Sequence, residues 1–464
     1  MQQVQAPNKM AVQPIQKLVL SMALPMMLSM LVQAFYNIVD SFFVARIADT
    51  ATILNMGDKA VQALTLSFPI QMLLIAINVG TGVGINASLS KHLGEKDRES
   101  ASQVAGNALF LAGVVYCFFL LFGLFGIRVY FSTQTTNPIV AEMGSSYLRI
   151  ICLAAIGGIG ATTFEKLLQA TGRTVHSMIV QMSGAILNII LDPIMIFGYF
   201  GFPAMGVAGA AMATVIGQCA AMVLGALFHF RCNSDLNHGL RYFLPRLPII
   251  CRIYQVGVPA IVMQALNSVM TYGLNIILGG ISAATVTAYG MYYKLQNFIF
   301  MPSYGLNNAV ISIAAFNYGA KSKSRVQESI RYGLLYVFII MATGILLLQL
   351  FAPSIVSIYA LSASTQQLCI RALRIITIGY LFAGCNIILQ GVYQALGNGF
   401  YSLLISLFRL VIVVLPLAWI LSGLENAASF VWIVFPVAEL CAFCVALWLM
   451  QRIQRQKIRP LDDI

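Results

Sequence analysis

The sequence predicts an all-α integral membrane protein whose twelve transmembrane helices form two six-helix bundles related by a parallel internal repeat. Three observations lead to this prediction: the composition, the length of the apolar segments, and a constant shift between similar segments of the two halves. Of the 464 residues, 59% are apolar and only 9% are charged, whereas soluble proteins have about 25% charged residues. Such a chain has too little polar surface to face water, so we expect the bilayer to be its solvent.

The apolar segments have the length of membrane-spanning helices. About 20 mostly apolar residues cross a bilayer, and runs of this length recur along the chain without the alternation of a membrane β-barrel. Because hydrocarbon offers the backbone no hydrogen-bond partners, these runs favour helices. The predicted spans are 17–45, 59–90, 102–131, 139–163, 174–199, 205–230, 250–279, 284–315, 327–352, 366–390, 399–422 and 427–451.

The basic residues predict the orientation. Cytoplasmic loops of membrane proteins carry an excess of Lys and Arg, and here alternate loops contain most of them. If the N-terminus is cytoplasmic, the basic loops and both termini lie inside, in a bacterial inner or plasma membrane. The predicted organisation is a cytoplasmic segment 1–16, an N-terminal lobe 17–230, a cytoplasmic linker 231–249, a C-terminal lobe 250–451 and a cytoplasmic tail 452–464.

The two halves look like copies of each other. The segment "HLGEKD" with Lys96 matches "NYGAKS" with Lys321, and "LLQATGRT" with Gly172 matches "VYQALGNG" with Gly397. The distance along the chain from Lys96 to Lys321 equals that from Gly172 to Gly397, and we call this distance the repeat shift. Each half starts on the same side of the membrane, so the repeat is parallel, which is a common design of secondary transporters. The alternative is duplicated helix packing without a central path.

Ionisable side chains within the spans are candidates for function, because each costs ~2.5–3.5 kcal/mol to insert. Asp40 in span 1 and Asp192 in span 5 are the clearest. Counted from the entry of each span, they lie about 34 Å and about 28 Å along their helices, so we expect them at similar depth. Tyr36 and Asn37 share a helix face with Asp40, and Asn188 shares one with Asp192, because residues three and four apart are neighbours on a helix.

Cation coupling is the chemistry that this pattern favours. A carboxyl that is taken out of water favours its protonated form, so it can bind a proton and release it when water enters. Alternatively, Asp40, Asn188 and Asp192 supply oxygen ligands for Na⁺. A third interpretation is that the acids only tie helices together. The repeat aligns Asp192 with Leu417 and Asn188 with Val413. The second half therefore lacks these polar groups, and the predicted site belongs to the first half.

Other polar residues in the spans are candidates for lining a substrate cavity. They share an intramembrane position and the ability to hydrogen-bond: Tyr36, Asn37, Gln264, Asn267, Asn275 and Glu439. The sequence contains no HExxH or GxSxG motif and no paired catalytic acids, so we predict a transporter without catalytic residues or cofactor rather than an enzyme. The expected partners are small-molecule substrates and the lipid bilayer, with no nucleic acid, and the expected state is a monomer.

At these residues the chain resembles the multidrug and toxic compound extrusion (MATE) family, in the branch with an Asp in the first transmembrane helix. The resemblance rests on the region around Asp40, on "LNIILDPIMIFG" followed by "GVAGAAMAT", and on the paired loops. It implies two bundles in a V and antiport of drugs against H⁺ or Na⁺. It also implies an ion site at Asp40, Asn188 and Asp192, with Thr214 from span 6. A second family pattern has a Glu in span 7, where this chain has Asn267.

Two other functions fit parts of the pattern. A lipid or lipid-linked saccharide flippase of the same superfold would share the architecture, although such proteins often have a strongly charged central cavity, and Arg409 is the main intramembrane basic residue here. A channel or a receptor is a different class, which the repeat and the acids confined to one half disfavour.

Overall fold

The computed structural model describes residues 8–44, 46–47, 56–357 and 361–461, and these residues contain helices and no strands. Within these described residues, twelve segments are long and apolar enough to cross a membrane, counting one bent pair of helices as a single span. In chain order they are α1 Ile15–Val44, α2 Met56–Gly94, α3 Arg98–Gln134, α4 Pro138–Leu153 with Ala155–Ala170, α5 Thr174–Phe197, α6 Val207–Cys232, α7 Leu247–Ile281, α8 Ala283–Gly319, α9 Lys323–Ser357, α10 Ala363–Ala395, α11 Gly399–Ser422 and α12 Ala427–Ile458.

The predicted spans are confirmed, and most helices run several residues beyond the apolar segments. Helix α2 extends from Met56 to Gly94, for example, whereas its apolar part covers 59–90. Side-chain capping stabilises some of these polar ends: Asp97 accepts a hydrogen bond from the Ser100 N–H at the start of α3. Helix α4 departs from a single straight span, because its two parts meet at an angle of 47° at Ala154, whose φ and ψ are not helical.

The internal repeat is also confirmed, and the structure keeps the repeat shift along most of each half. Four pairs of helices begin at positions related by this shift: Arg98 and Lys323, Pro138 and Ala363, Ala155 and Tyr380, Thr174 and Gly399. The loops match as well. Lys96 and Lys321 both have positive φ, 58° and 56°, an uncommon conformation for a residue with a Cβ. Two copies of one six-helix unit therefore build the protein.

The two lobes meet along α1 and α2 of the first and α7 and α8 of the second. We call the side of the protein that carries Lys96, Arg173 and Lys321 the basic face. Towards this face the contact is tight: residues 80–87 of α2 and 308–317 of α8 are buried. Away from it the same helices are exposed, for instance at Phe68 of α2 and at Tyr304 of α8. The lobes are therefore closed at the basic face and diverge towards the opposite face.

Glycines and one lysine make this closed contact possible. A Cβ on Gly84 would lie 2.1 Å from the carbonyl oxygen of Ile253 in α7, so the two helix backbones are in direct contact there. Nearby, the buried Lys166 of α4 donates from Nζ to Asn308 Oδ1 of α8 at 3.2 Å and to Gln169 Oε1 at 3.0 Å. Backbone contact and a hydrogen bond across the lobes thus both hold the basic face shut.

Candidate cation-binding site in the N-terminal lobe

The structure brings the two predicted acids together from different helices. Asp192 of α5 is fully buried, with 0% of its surface exposed. Asp40 of α1 is half-buried, but its Oδ1 atom is shielded from solvent and has no hydrogen-bond partner among the residues that the structure describes. The two carboxylates lie close enough to interact electrostatically. The structure therefore brings the two acids, which the sequence predicts at a similar depth, to one region of the lobe.

Asn188 and Thr214 complete the group around Asp192. Asn188 lies one turn before Asp192, and Thr214 comes from the facing helix α6. With the Asn188 amide nitrogen turned towards Asp192, the nitrogen donates to Oδ2 at 3.2 Å. The amide oxygen then accepts from the Thr214 backbone N–H at 3.0 Å and from its hydroxyl at 3.2 Å. This orientation gives both the nitrogen and the oxygen of the amide a partner, so Asn188 fixes both the Asp192 carboxylate and the α5–α6 contact.

Two phenols lie near enough to the carboxylates to interact electrostatically, and only one of them was predicted. Tyr36 of α1 and Tyr147 of α4 both interact electrostatically with Asp40 and Asp192. The Tyr147 oxygen accepts a hydrogen bond from Gln71 Nε2 of α2 at 2.7 Å, which leaves its own O–H available as a donor. Sequence reasoning misses Tyr147 and Gln71, because an aromatic in an apolar span and a single Gln carry no spacing signal.

The chemistry of this site is that of an oxygen-rich pocket with excess negative charge. Two ionised carboxylates near each other in a low-dielectric region repel strongly, so one of them must bind a proton or share a cation. Asp40, Asp192, Asn188 and Thr214 offer only oxygen and amide groups, the kind of ligand that a hard cation such as Na⁺ prefers over sulfur or imidazole. Asp40 Oδ1, which has no partner in the part of the chain that the structure describes, can accept either ion.

The remaining predicted cavity residues lie on α1, α7 and α12. On α7, Gln264 and Asn267 are half-buried, and Asn275 is exposed; Asn267 donates to the carbonyl oxygen of Met263 at 3.3 Å. Asn37 is exposed on α1. Glu439 lies in the C-terminal lobe, where it forms an ion pair with Arg409 at 2.6 Å. The structure thus separates Glu439 from the acids of the first lobe.

Comparison with known proteins identifies the family. The family model MatE matches residues 25–194 and 259–420, one match in each lobe. The chain belongs to the MatE family. The resemblance to the family is therefore confirmed, and the family assignment makes this protein a membrane transporter rather than an enzyme. The first match includes Asp40, Asn188 and Asp192, and it ends before Thr214.

Several curated relatives and solved structures align over nearly the whole chain. The multidrug export protein MepA of Staphylococcus saprophyticus is 24% identical over 425 residues, 92% of this chain and 91% of the relative. MepA of Staphylococcus aureus is 24% identical over 440 residues, 94% and 93% of the two chains. A MATE family transporter in an outward-facing conformation has a TM-score of 0.90 at 24% identity, covering 98% of this chain and 99% of that one. These structural matches support the fold described above.

Proposed function

We propose that this protein is a secondary active transporter that exports drugs or other small molecules, often cationic and amphipathic, by antiport with H⁺ or Na⁺. The aligned relatives are named multidrug export proteins and come from bacteria, which supports export across a bacterial plasma membrane. In this proposal the basic face lies in the cytoplasm together with both termini, and a single chain is the working unit. H⁺ or Na⁺ is the coupling ion, and no other cofactor takes part.

The observation that carries the proposal is the pair of intramembrane carboxylates. Asp40 keeps a shielded oxygen without a partner among the described residues, and Asp192 is fully buried beside it. A merely structural acid would be expected to have its oxygens saturated by donors, because an unsatisfied buried polar atom is costly. A site that must alternately bind and release a cation needs an acceptor that is free when the cation has left.

The position of Asp40 suggests how cation binding reaches the lobe contact. Helix α1 packs against α5 within its own lobe and against α8 of the other lobe. Binding or loss of a positive charge on Asp40 therefore acts on a helix that belongs to both contacts. A ligand shifts a conformational equilibrium only by its different affinity for the two states. Because α1 takes part in both contacts, the affinity of Asp40 for the coupling ion can differ between the two states.

For the drug we propose a path between the lobes, in the half where they diverge. Tyr36, Asn37, Gln264, Asn267 and Asn275 are all half-buried or exposed, which suits residues that contact a transient ligand. In the closed state at the basic face, this path opens to the opposite side. Alternating access then requires Gly84 and Ile253 to separate at the basic face, while the lobes come together at the opposite face.

The flippase alternative receives less support from the charges. Arg409, the main intramembrane basic residue expected to attract a lipid head group, is 9% exposed and is paired with Glu439. Its charge is therefore already compensated within the protein. Drug export remains the function that the site and the relatives favour together.

The experiment that tests the proposal is transport by purified protein in proteoliposomes, with H⁺ and Na⁺ gradients imposed separately. We expect one gradient to drive movement of a fluorescent cationic drug such as ethidium, and the Asp40→Asn variant to lose that response. Asp58→Asn is the matched control, because Asp58 is an exposed acid in the first turn of α2. Gradient-driven transport by Asp40→Asn at the unmodified rate would contradict the proposal.

A further inference from the structure

The C-terminal lobe contains a largely buried ion pair of its own, in which the side chains of Arg409 and Glu439 are 9% and 16% exposed. Arg409 of α11 donates to Glu439 Oε1 of α12 from Nε at 3.0 Å and from Nη2 at 2.6 Å. The second carboxylate oxygen, Oε2, accepts from Asn386 Nδ2 of α10 at 2.9 Å. Asn386 is fully buried, and its Oδ1 atom has no partner among the described residues. The ionisable groups that interact with the pair from neighbouring helices include the phenols of Tyr292 and Tyr304.

The internal repeat gives this pair a counterpart. The repeat shift places Glu439 on Thr214, which contacts Asn188 in the first lobe. The same shift places Arg409 on Gly184, one helical turn before Asn188. Helices α11 and α12 therefore carry the ion pair at the level where α5 and α6 carry the candidate cation site.

The two lobes differ in the side chains that occupy these corresponding helix positions. In the first lobe a Cβ on Gly184 would already lie 3.1 Å from the carbonyl oxygen of Gly217 and from Ala221 Cβ, so a long side chain has no room there. In the second lobe Arg409 lies in a π-helical turn, Phe408–Ile412. Such a turn locally alters the direction of a helix backbone and is frequent at functional positions. Val413 and Leu417 replace the amide and the carboxylate of the first lobe.

We infer that the Arg409 guanidinium is a permanent, covalently attached cation in the C-terminal counterpart of the cation site, and that this site accepts a small monovalent cation when the guanidinium is removed. The Glu439 carboxylate needs a positive charge, as Asp40 and Asp192 do, because an unpaired carboxylate that is largely removed from water is destabilising. An Arg side chain remains protonated in proteins and cannot leave. The first lobe therefore exchanges its cation during transport, whereas the second does not.

The Asn386 amide makes the inference specific. Its Nδ2 atom holds the second oxygen of the Glu439 carboxylate at 2.9 Å independently of Arg409, so the carboxylate keeps a partner when the guanidinium is removed. A small cation at the position of the guanidinium would have the Glu439 carboxylate as its ligand. The expected ligand class is a monovalent cation of the size of Na⁺ or of a methylguanidinium ion.

The test is the thermal stability of the purified full-length protein, which does not depend on transport. We expect Arg409→Ala to lower the unfolding midpoint, and millimolar methylguanidinium chloride to raise that midpoint again in a saturable way. In the unmodified protein and in the double variant Arg409→Ala with Glu439→Gln, methylguanidinium chloride should raise the unfolding midpoint no more than NaCl at the same concentration does. Arg371→Ala is the matched control, because Arg371 is an exposed Arg bonded to Ser429 Oγ. An unresponsive Arg409→Ala variant, or an equal response of the double variant, would overturn the inference.

A second comparison covers the case in which Arg409→Ala does not fold. The inference attributes the damage to the unpaired Glu439 carboxylate, so adding Glu439→Gln should restore the yield of folded protein. If the double variant is equally poor, the guanidinium serves packing and the inference is wrong.

The consequence for coupling rests on the proposed function and needs a separate measurement. In proteoliposomes, Arg409→Ala should show a steeper dependence of transport on the coupling cation, with a Hill coefficient that rises above that of the unmodified protein. If the unmodified protein has no ion dependence, the antiport proposal fails while the methylguanidinium result can still hold. An unchanged coefficient in a variant that binds methylguanidinium would contradict the idea that Arg409 limits ion exchange to one lobe.

Discussion

A methyl group added at Gly84 should open the basic face. The Cβ of an Ala at this position would lie 2.1 Å from the Ile253 carbonyl oxygen, whereas close carbon–oxygen contacts between helices are about 3.3 Å. The α2 and α7 backbones must therefore separate by roughly 1.2 Å in the closed state to reach such a contact. Overpacking of this kind destabilises the closed state by about 1–3 kcal/mol. A state in which the lobes are apart is not destabilised, because the two backbones no longer touch. The open population should therefore rise by about 5-fold to 150-fold.

Cysteine accessibility measures this population directly. Ser312 of α8 is fully buried at the lobe contact, where its hydroxyl donates to Asn86 Oδ1 at 2.9 Å. In a background without the nine native Cys residues, Ser312→Cys should react slowly with a membrane-impermeant maleimide. Adding Gly84→Ala should raise the labelling rate by the factor given above, because labelling follows the fraction of open molecules.

The control and the refuting result follow from the same geometry. Gly290 also lies in a long helix of the lobe contact, and a Cβ there would meet no atom within 4 Å. Gly290→Ala should therefore leave the labelling rate of Ser312→Cys unchanged. A folded Gly84→Ala variant with an unchanged labelling rate would show that the contact between Gly84 and Ile253 does not keep the basic face closed.

Three further predictions concern the acid pair, its amide partner and the topology. Asp40→Glu should retain part of the gradient-driven transport that Asp40→Asn loses, because it keeps a carboxyl that can bind the cation; equal loss in both variants would point to shape rather than charge. Asn188→Ala should change the apparent affinity for the coupling cation by about tenfold, the scale of a lost hydrogen bond to a charged group: proton binding should tighten, because the ionised Asp192 loses a donor, whereas Na⁺ binding should weaken, because an amide oxygen ligand is lost. Val413→Ala should leave the affinity unchanged in the same concentration series in proteoliposomes. Single Cys probes at Lys96 and Lys321, both exposed, should label only from the cytoplasm and a probe at Glu425 only from outside; the reverse pattern would invert the proposed orientation.

Much of the architecture was predictable from the sequence, because a membrane protein has few ways to satisfy its backbone. Long apolar runs must be helices, and this rule places α11 at the predicted bounds of 399–422. The repeat shift was visible in short loop motifs, since the left-handed turn at Lys96 recurs at Lys321. Asp40 and Asp192 could be paired in advance, because an acid in hydrocarbon is rare and both acids lie at a similar distance from their helix starts.

The partners of the predicted residues were not predictable in the same way. Apolar runs do not reveal how a helix is rotated, so Tyr147 and Gln71 gave no sign that they lie beside the acids. The ion pair between Arg409 and Glu439 joins residues 30 positions apart on separate helices. The bend at Ala154 also has no Pro to announce it.

The most direct test of the central claim, that the coupling cation is held in the N-terminal lobe, is the release of this cation when the drug binds. Purified protein in a weakly buffered solution, or loaded with radioactive Na⁺, is mixed with a transported drug, and the released H⁺ or Na⁺ is counted per protein. We predict that the unmodified protein and Leu417→Ala release the cation, and that Asp40→Asn and Asp192→Asn do not. Release that survives in both Asp variants, or is lost in Leu417→Ala alone, would place the coupling site outside the N-terminal lobe.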